Sequence, residues 1–247
     1  MDVALITVGD ELLAGETENT NATWLAAQLT DRGVSVRRIL TVPDDRELLA
    51  THVRQYSDDL DATIVTGGIG STPDDVTMEA VADAFDREMV VDDLALEAVR
   101  ARVAELDERI PDLDLAVDEE AEASVPAGSR PLLNDEGLAP GCVLANVYVL
   151  PGIPGEMRAM FETIAEEFAG DSVSTDIYTV EPESNIVPAL RTCQTDFGVT
   201  VGCYPDRDAR YNRLKVSGTD RDTVGAATEW LLETIDASET PVERDWV

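Results

Sequence analysis

Apolar, β-branched segments alternate with helical patterns in the first third of the chain, and this alternation limits the folds open to it. Residues 2–8 have the composition of a strand buried on both faces, and residues 34–42 and 62–66 are predicted to form two further strands. Apolar residues at helical spacing follow the first of them, for example Leu25 and Leu29. Strands that alternate with helices form right-handed βαβ units and a mostly parallel sheet covered on both faces. The sequence therefore predicts an α/β fold with three layers.

The pattern changes toward the middle of the chain. A less regular stretch over residues 110–139 precedes two predicted short strands at 142–145 and 146–150. A predicted helix then carries apolar residues from Met157 to Phe168. Gly170 and Asp171 are predicted to mark a boundary, because the helical pattern stops there.

The boundary predicts two domains, residues 1–170 and 171–247. In the second, the order of apolar segments is strand, helix, strand, strand, helix, which predicts a small α+β (βαββα) domain. We expect its tail, residues 237–247, to be frayed.

Charge excludes several classes of partner. The chain has 247 residues, with 51 acidic and 18 basic side chains and a formal net charge of -33. Nucleic-acid binders and proteins of anionic membranes need clustered Lys and Arg, so we expect no nucleic acid and no membrane as partner. Without a long apolar run or a basic leader, the expected location is cytoplasmic. Because Lys215 is the only lysine among so many acids, the composition is typical of a halophilic, haloarchaeal-type protein.

The glycine-rich segment at residues 66–75, TGGIGSTPDD, is the strongest local signal of a binding site. It joins a predicted strand to a predicted helix, at the sheet edge where open α/β folds bind ligands. Glycines let a backbone approach an anion closely, and free amides at a helix start favour phosphate. The four residues from Thr72 also fit a plain helix cap, with the threonine at the N-cap and Pro73 at the first helical position. Three glycines in the preceding four residues have no part in such a cap.

Acidic residues follow the first predicted strand. Asp10 and Glu11 would lie near Asp74 and Asp75, because neighbouring parallel strands end at the same edge. Carboxylates are hard oxygen ligands that suit a divalent cation bridging substrate phosphates. The alternative is solvated carboxylates in a very acidic chain. A third segment, PGIPGE at 151–156, offers backbone amides near Gly152, or is simply a turn.

Together these segments resemble the amino-terminal region of the competence and damage-inducible protein A (CinA) family, which shares the molybdopterin-binding fold of the MoaB and Mog proteins. The matching segments are VGDELL (8–13), NTN (19–21), TVPDD (41–45), TGGIGSTPDD (66–75) with Thr77, APG (139–141) and VLPG (149–152) with Pro154 and Glu156. A tyrosine–proline pair, Tyr204 and Pro205, resembles a signature of the smaller domain of that family. Many members also have a carboxyl-terminal amidase domain, and we expect this chain to lack that activity.

The resemblance implies a metal-dependent pyrophosphatase that splits ADP-ribose or FAD into AMP and a second monophosphate. The residues implied to bind metal or activate water are Asp10, Asp74 and Asp75, with Asp10 and Asp74 as the metal ligands. The residues expected to bind phosphate or substrate are Gly67, Gly68, Gly70, Ser71, Thr72, Asn21, Gly152 and Glu156. The expected cofactor is a divalent metal, Mg²⁺, Mn²⁺ or Co²⁺.

Two other functions are compatible with the same fold. One is binding or adenylylation of molybdopterin, so that the small-molecule partner would be a pterin rather than a nucleotide. The other is a catalytically silent, oligomeric module. For the pyrophosphatase and for both of these alternatives, the fold predicts a homo-oligomer.

Overall fold

The computed structural model describes residues 1–109 and 116–241, so residues 110–115 and 242–247 of the predicted irregular stretch and tail lie outside it. The chain divides into two units, Met1–Ala169 and Gly170–Val247. Among the described residues, no helix combines the length and apolar character needed to cross a bilayer.

The first unit contains eight strands and seven helices among its described residues. The strands are β1 (Asp2–Val8), β2 (Ser35–Val42), β3 (Ala62–Thr66), β4 (Met89–Val91), β5 (Ser124–Pro126), β6 (Arg130–Leu132), β7 (Gly141–Leu144) and β8 (Val147–Leu150). The helices are α1 (Asp10–Leu13), α2 (Thr20–Asp31), α3 (Arg46–Asp59), α4 (Thr77–Ala84), α5 (Asp93–Arg109), α6 (Glu119–Glu122) and α7 (Pro154–Ile164), and a 3₁₀ turn at Ala165–Glu167 follows α7.

Six strands form the main sheet in the order β2-β1-β3-β8-β7-β6. The neighbours β2, β1, β3 and β8 are all parallel, and only β7 runs against its two neighbours in this sheet. Strands β4 and β5 pair separately. The predicted mostly parallel α/β sheet is therefore confirmed.

Alternate residues of β1 enter two separate cores, which shows that the sheet is covered on both faces. Ala4 and Ile6 lie in a cluster with residues of α3 and α4, including Leu49. Leu5 lies in a second cluster with residues of α2 and α7, including Phe161. Successive side chains of a strand point to opposite faces, so β1 lies in the middle of three layers.

Two predicted helix starts are wrong. Helix α4 begins at Thr77 rather than at residues 72–75. Helix α3 is capped by Asp45, whose Oδ1 accepts the Leu48 amide at 2.9 Å. The sequence predicts a capping box that begins one residue earlier, because Asp44 lies three residues before Glu47. Adjacent acids both fit a cap, and the fold uses Asp44 elsewhere.

The second unit is the predicted small α+β domain with one addition. Its described elements are β9 (Val173–Thr179), α8 (Glu183–Phe197), β10 (Thr200–Asp206), β11 (Tyr211–Gly218), α9 (Arg221–Thr234) and β12 (Ala237–Ser238). The strands form an antiparallel sheet in the order β10-β11-β9-β12. Because β12 pairs with β9, Ala237 and Ser238 are not frayed.

Candidate functional site

The loops that follow β1, β3 and β8 meet at one edge of the main sheet. These strands are parallel neighbours, so their carboxyl ends lie side by side. The predicted residues Asp10, Gly67 and Gly152 follow β1, β3 and β8 respectively. A Cβ at Gly152 would lie 3.2 Å from Gly67 Cα, so the two turns touch through their backbones.

Gly67 occupies a position that requires glycine. Its φ is +102°, and a Cβ there would lie 2.5 Å from the carbonyl oxygen of Val8, at the end of β1. Its amide donates to the Leu150 carbonyl at 3.2 Å. Gly67 therefore holds the end of β3 between the ends of β1 and β8.

The inner side of the site consists of Asn19, Asn21, Thr66 and Thr77. Their side chains donate hydrogen bonds to other protein atoms, whereas the buried Oδ1 of Asn21 has no partner among the described residues. Asn21 Nδ2 donates to the Gly152 carbonyl at 2.7 Å. Thr66 Oγ1 donates to the Pro151 carbonyl at 2.6 Å, and Thr77 Oγ1 donates to the Gly67 carbonyl at 2.7 Å. These bonds fix the glycine turns against each other.

Asn19 joins the start of α2 to the sheet. Its Oδ1 accepts the Ala22 amide at 3.1 Å and caps the helix. Its Nδ2 donates to Thr7 Oγ1 at 2.8 Å and to Thr41 Oγ1 at 3.2 Å, on β1 and β2. A cavity of about 90 Å³ lies among these residues, bordered also by Glu11.

Residues 70–75 form a closed turn instead of the first turn of a helix. Asp75 Oδ2 accepts the Thr72 amide at 3.0 Å and the Thr72 hydroxyl at 2.5 Å. Side chains of this type compete with helix formation by bonding the local backbone. Thr72 therefore does not cap α4, and the Asp75 carboxylate, predicted to be catalytic, stabilises the turn.

Backbone amides, rather than a helix terminus, are what this loop offers to an anion. Among the described residues, the amides of Gly68, Ile69, Gly70 and Ser71 donate to no other protein atom. Successive free amides in a loop form a concavity that binds anions. A cavity of about 190 Å³ borders this loop, with Glu79, Met89 and Pro140 also in its wall.

Four carboxylates form the acidic part of the site. Asp44 Oδ2 accepts the Asp10 amide at 2.9 Å. Partial burial raises the pKa of Asp44 above its ordinary value, and the charges of Asp10, Glu11 and Asp74 raise it further, against the opposing effect of the Asp10 amide. The charges of Asp10, Glu11 and Asp74 thus act on Asp44, which is not among the predicted site residues, whereas the predicted Asp75 is bonded to Thr72.

Asp10, Glu11 and Asp74 form the outer side of the site. All three are exposed. A hydrogen bond from Thr72 lowers the pKa of Asp74, although the single hydroxyl proton of Thr72 serves either Asp74 or Asp75 at one time. Asp74 is therefore a fully charged carboxylate facing solvent at neutral pH.

Carboxylates are suitable ligands for a divalent metal, but in the described part of the chain they do not form a complete set of protein ligands. In residues 1–109 and 116–241, no three His, Cys, Asp or Glu side chains are grouped as metal ligands. Mg²⁺ commonly uses one or two carboxylates together with water and substrate phosphates. The oxygen donors of Asp10 and Asp74 fit that kind of binding.

Glu156, predicted to bind substrate, has a structural partner. Asn134 Nδ2 donates to Glu156 Oε2 at 2.8 Å and to the Ala139 carbonyl at 3.0 Å. The Glu156 carboxylate thus binds Asn134 and helps to stabilise the loop between β6 and β7. The sequence does not reveal the partners of Asn134 and Thr77, because only the fold brings them together.

Comparison with known proteins identifies both units. Residues 4–170 match the family described as "Probable molybdopterin binding domain", and residues 171–242 match the FAD synthase middle domain. An Archaeoglobus fulgidus protein is 36% identical over 94% of this chain and 97% of its own length. Protein PYRAB15930 of Pyrococcus abyssi is 34% identical over 94% of this chain and 96% of its own length.

The chain is also similar to a solved structure. That structure is of the protein CinA with unknown function from Thermoplasma acidophilum, which is 33% identical, with a TM-score of 0.58. The alignment covers 68% of this chain and 97% of that one. With its parallel sheet, its glycine loop and these matches, the chain belongs to the family of probable molybdopterin binding domains, and a domain similar to the FAD synthase middle domain follows.

Proposed function

We propose that the first unit is a metal-dependent pyrophosphatase. Its substrate would be a nucleoside-diphosphate-linked small molecule such as ADP-ribose or FAD, and its products AMP and a second monophosphate. The observation that carries this proposal is the loop of free amides beside the acidic residues: Asp44 binds the Asp10 amide, and one of its carboxylate oxygens would lie 3.7 Å from a Cβ at Gly68. One group of residues suits a metal, and the other suits the anion that the metal would bridge.

The loop amides would bind the pyrophosphate oxygens. The amides of Gly68, Ile69, Gly70 and Ser71 remain available for an anion, and two of these residues have no side chain to obstruct it. Amide donors that are fixed before the substrate arrives stabilise charge that develops in the transition state. Asp75 and Thr72 contribute by holding the loop closed.

The acidic side chains would hold the cation and position the substrate. Asp10 and Asp74 are the proposed ligands, and Asp44 orients Asp10 through its backbone amide. A divalent ion, when bound, supplies charge neutralisation and activates water. Without it, the pyrophosphate would be repelled by the local carboxylates, so this chain would need the metal for substrate binding as well.

Activity can be tested directly with the purified protein in high salt. ADP-ribose and FAD would each be incubated with Mg²⁺, Mn²⁺ or Co²⁺, and AMP would be followed by chromatography. We expect AMP only when metal is present, and we expect Asp74→Ala to lower its release by about a hundredfold or more. The variant should fold normally, because Asp74 is exposed.

Asp31→Ala is the matched control. Asp31 is an exposed acid at the last position of α2, and α2 runs away from the site edge. Its removal changes the net charge equally and should leave AMP release unchanged. Full metal-dependent activity in Asp74→Ala would remove Asp74 from the mechanism, and no AMP from folded protein with any metal would contradict the pyrophosphatase proposal.

Molybdopterin binding or adenylylation is the second candidate, favoured by the description of the matched family. The same loop amides would bind the pterin phosphate. Pterin binding without nucleotide hydrolysis would favour this candidate. Homo-oligomerisation remains a prediction for either function, and light scattering in high salt would measure it.

A further inference from the structure

The second unit has an aromatic and basic surface that the proposed hydrolysis does not use. In its antiparallel sheet, Leu214 and Val216 are buried with residues of α8 and α9. Arg213 and Lys215, which alternate with them along β11, point to the opposite face. On that outer face Tyr204, Arg213 and Tyr178 lie opposite one another on β10, β11 and β9.

Contacts within this row hold it in place. The Arg213 guanidinium carbon lies 4.9 Å from the centre of the Tyr204 ring. Arg213 Nη1 also lies 3.1 Å from each carboxylate oxygen of Asp176. Tyr178 packs edge to face against Tyr211, with ring centres 5.2 Å apart. The outer face is therefore an ordered aromatic platform.

Part of the Tyr204 ring is open to a ligand, although Arg213 lies over the ring. The Tyr204 side chain lies over Gly202, where a Cβ would come within 2.7 Å of the ring. The side chain is nevertheless among the exposed large hydrophobic ones, at 50%. An aromatic ring over a glycine stabilises a strand by itself. That role does not account for the arginines in the adjoining turn.

The turn between β10 and β11 carries unpaired positive charge. Arg207 and Arg210 are exposed, and neither forms an ion pair with a described residue. Arg210 has a φ of +60°, a left-handed conformation that costs a non-glycine residue about 1–2 kcal/mol. Residues 204–215 contain four basic and two acidic side chains in a chain of net charge -33. One of the acids, Asp206, binds the amides of the turn itself.

Platform and turn enclose a shallow cavity of about 430 Å³. Its wall consists of Tyr204, Pro205, Asp206, Arg207, Tyr211 and Arg213. Small-molecule sites in proteins commonly measure about 300–1,000 Å³. The cavity is thus large enough for a planar ring with one attached phosphate.

We propose that this surface binds a nucleotide, with the base stacked on Tyr204 and the phosphate paired with Arg207, while Arg210 in the same turn adds positive charge. Aromatic side chains stack on any nucleobase, and arginine pairs with phosphate through charge-assisted hydrogen bonds. A nucleic-acid strand is disfavoured, because a chain of this net charge repels a polyanion. The site lies within the second unit and is independent of the proposed hydrolysis.

The probe is AMP, added to the full chain labelled with ¹³C in its tyrosines, in EDTA. The chain has five tyrosines, and three of them, Tyr178, Tyr204 and Tyr211, lie on the platform. We expect AMP to shift the ring signals of these three and to leave those of Tyr56 and Tyr148 in place. AMP bound only at the glycine loop would leave the platform signals unchanged and would overturn the proposal.

Variants separate stacking from charge. Tyr204→Ala should weaken AMP binding about tenfold or more, whereas Tyr204→Phe keeps the ring and should bind as the parent does. The double change Arg207→Ala and Arg210→Ala should weaken it about fivefold or more without touching the core. Arg191→Ala, an exposed arginine on α8, is the control and should have no effect.

Several results would contradict the proposal. Equal platform shifts with inorganic phosphate alone would show a simple anion site, and no shift at millimolar AMP would show no site. Tighter binding of a single-stranded oligoribonucleotide than of AMP would show a nucleic-acid surface instead. An equal loss in Arg191→Ala would show that only net charge matters.

Discussion

The inner and outer sides of the candidate site use polar residues in opposite ways. On the inner side, Asn21, Thr66 and Thr77 donate their side-chain hydrogens to backbone carbonyls of the surrounding turns. On the outer side, Asp10 and Asp74 keep exposed carboxylates. The two groups therefore differ in their hydrogen-bond partners and in their exposure.

This difference indicates that the inner side maintains the shape of the site and that the outer side is available to bind the ligand. A buried polar group that is bound to the protein is costly to remove, because its partner is left unsatisfied. An exposed charge contributes little to folding and remains free to bind a ligand. We therefore expect changes on the inner side to lower stability and changes on the outer side to alter ligand binding.

The largest expected effect on stability is that of Gly67→Ala. A Cβ at this position combines a positive φ with a contact of 2.5 Å to the Val8 backbone. We expect a loss of about 3 kcal/mol or more in the free energy of unfolding. Gly15→Ala is the control, because Gly15 also has a positive φ but no atom within 4 Å of the added Cβ. Its expected loss is only about 1 kcal/mol.

Denaturant titration of both glycine variants measures the difference. Equal losses would mean that backbone conformation alone matters, and that the close approach of β1 and β3 at Gly67 does not. In that case the inner side would be less rigid than its contacts indicate.

A second, smaller effect is expected from Thr77→Val. Thr77 is fully buried, and its hydroxyl donates to the Gly67 carbonyl at 2.7 Å. Valine has the same shape and leaves that carbonyl without its donor, which costs about 2 kcal/mol. Thr63→Val is the matched control, since Thr63 is fully buried and its hydroxyl has no partner among the described residues. Its replacement should be neutral or stabilising, and equal losses in the two variants would contradict the assignment.

Sequence reasoning worked where the signal is local or follows from strand order. The run of apolar residues at 2–8 identifies β1, and the order of strands and helices predicts its parallel neighbours. That Asp10 lies near Asp74 stays a prediction. The charge interactions of Asp44 with both residues are consistent with that proximity. These inferences need only the direction of each strand.

The sequence was not sufficient to predict the structure where one local pattern is compatible with two conformations. The segment from Thr72 to Asp75 can cap a helix or close a turn, and it closes a turn while α4 begins at Thr77. Thr77 is held there by Gly67, a tertiary contact that local sequence does not reveal. Likewise, the partner of Glu156 is Asn134, which comes from another loop.

The smallest predicted effect concerns Asp44, which lies between the two sides. Burial and neighbouring acids raise its pKa above 3.8, so the folded state holds this proton more tightly than the unfolded state. Stability should then fall as pH rises from 3.8 through the raised pKa, which leaves the charged form destabilising at neutral pH. Asp44→Asn removes the charge and keeps an oxygen for the Asp10 amide.

We expect Asp44→Asn to gain about 0.5 kcal/mol at neutral pH, and the gain should vanish below the ordinary pKa of aspartate. Denaturant titration at the two pH values tests this. Asp45→Asn is the control. It removes one charge at the adjacent residue and keeps the helix cap, because asparagine caps as well as aspartate. A gain confined to Asp44→Asn would place the repulsion among the four carboxylates. Equal gains in the two variants would attribute the repulsion to the total charge of the chain. The outer side of the site would then have no locally concentrated negative charge to attract a metal ion.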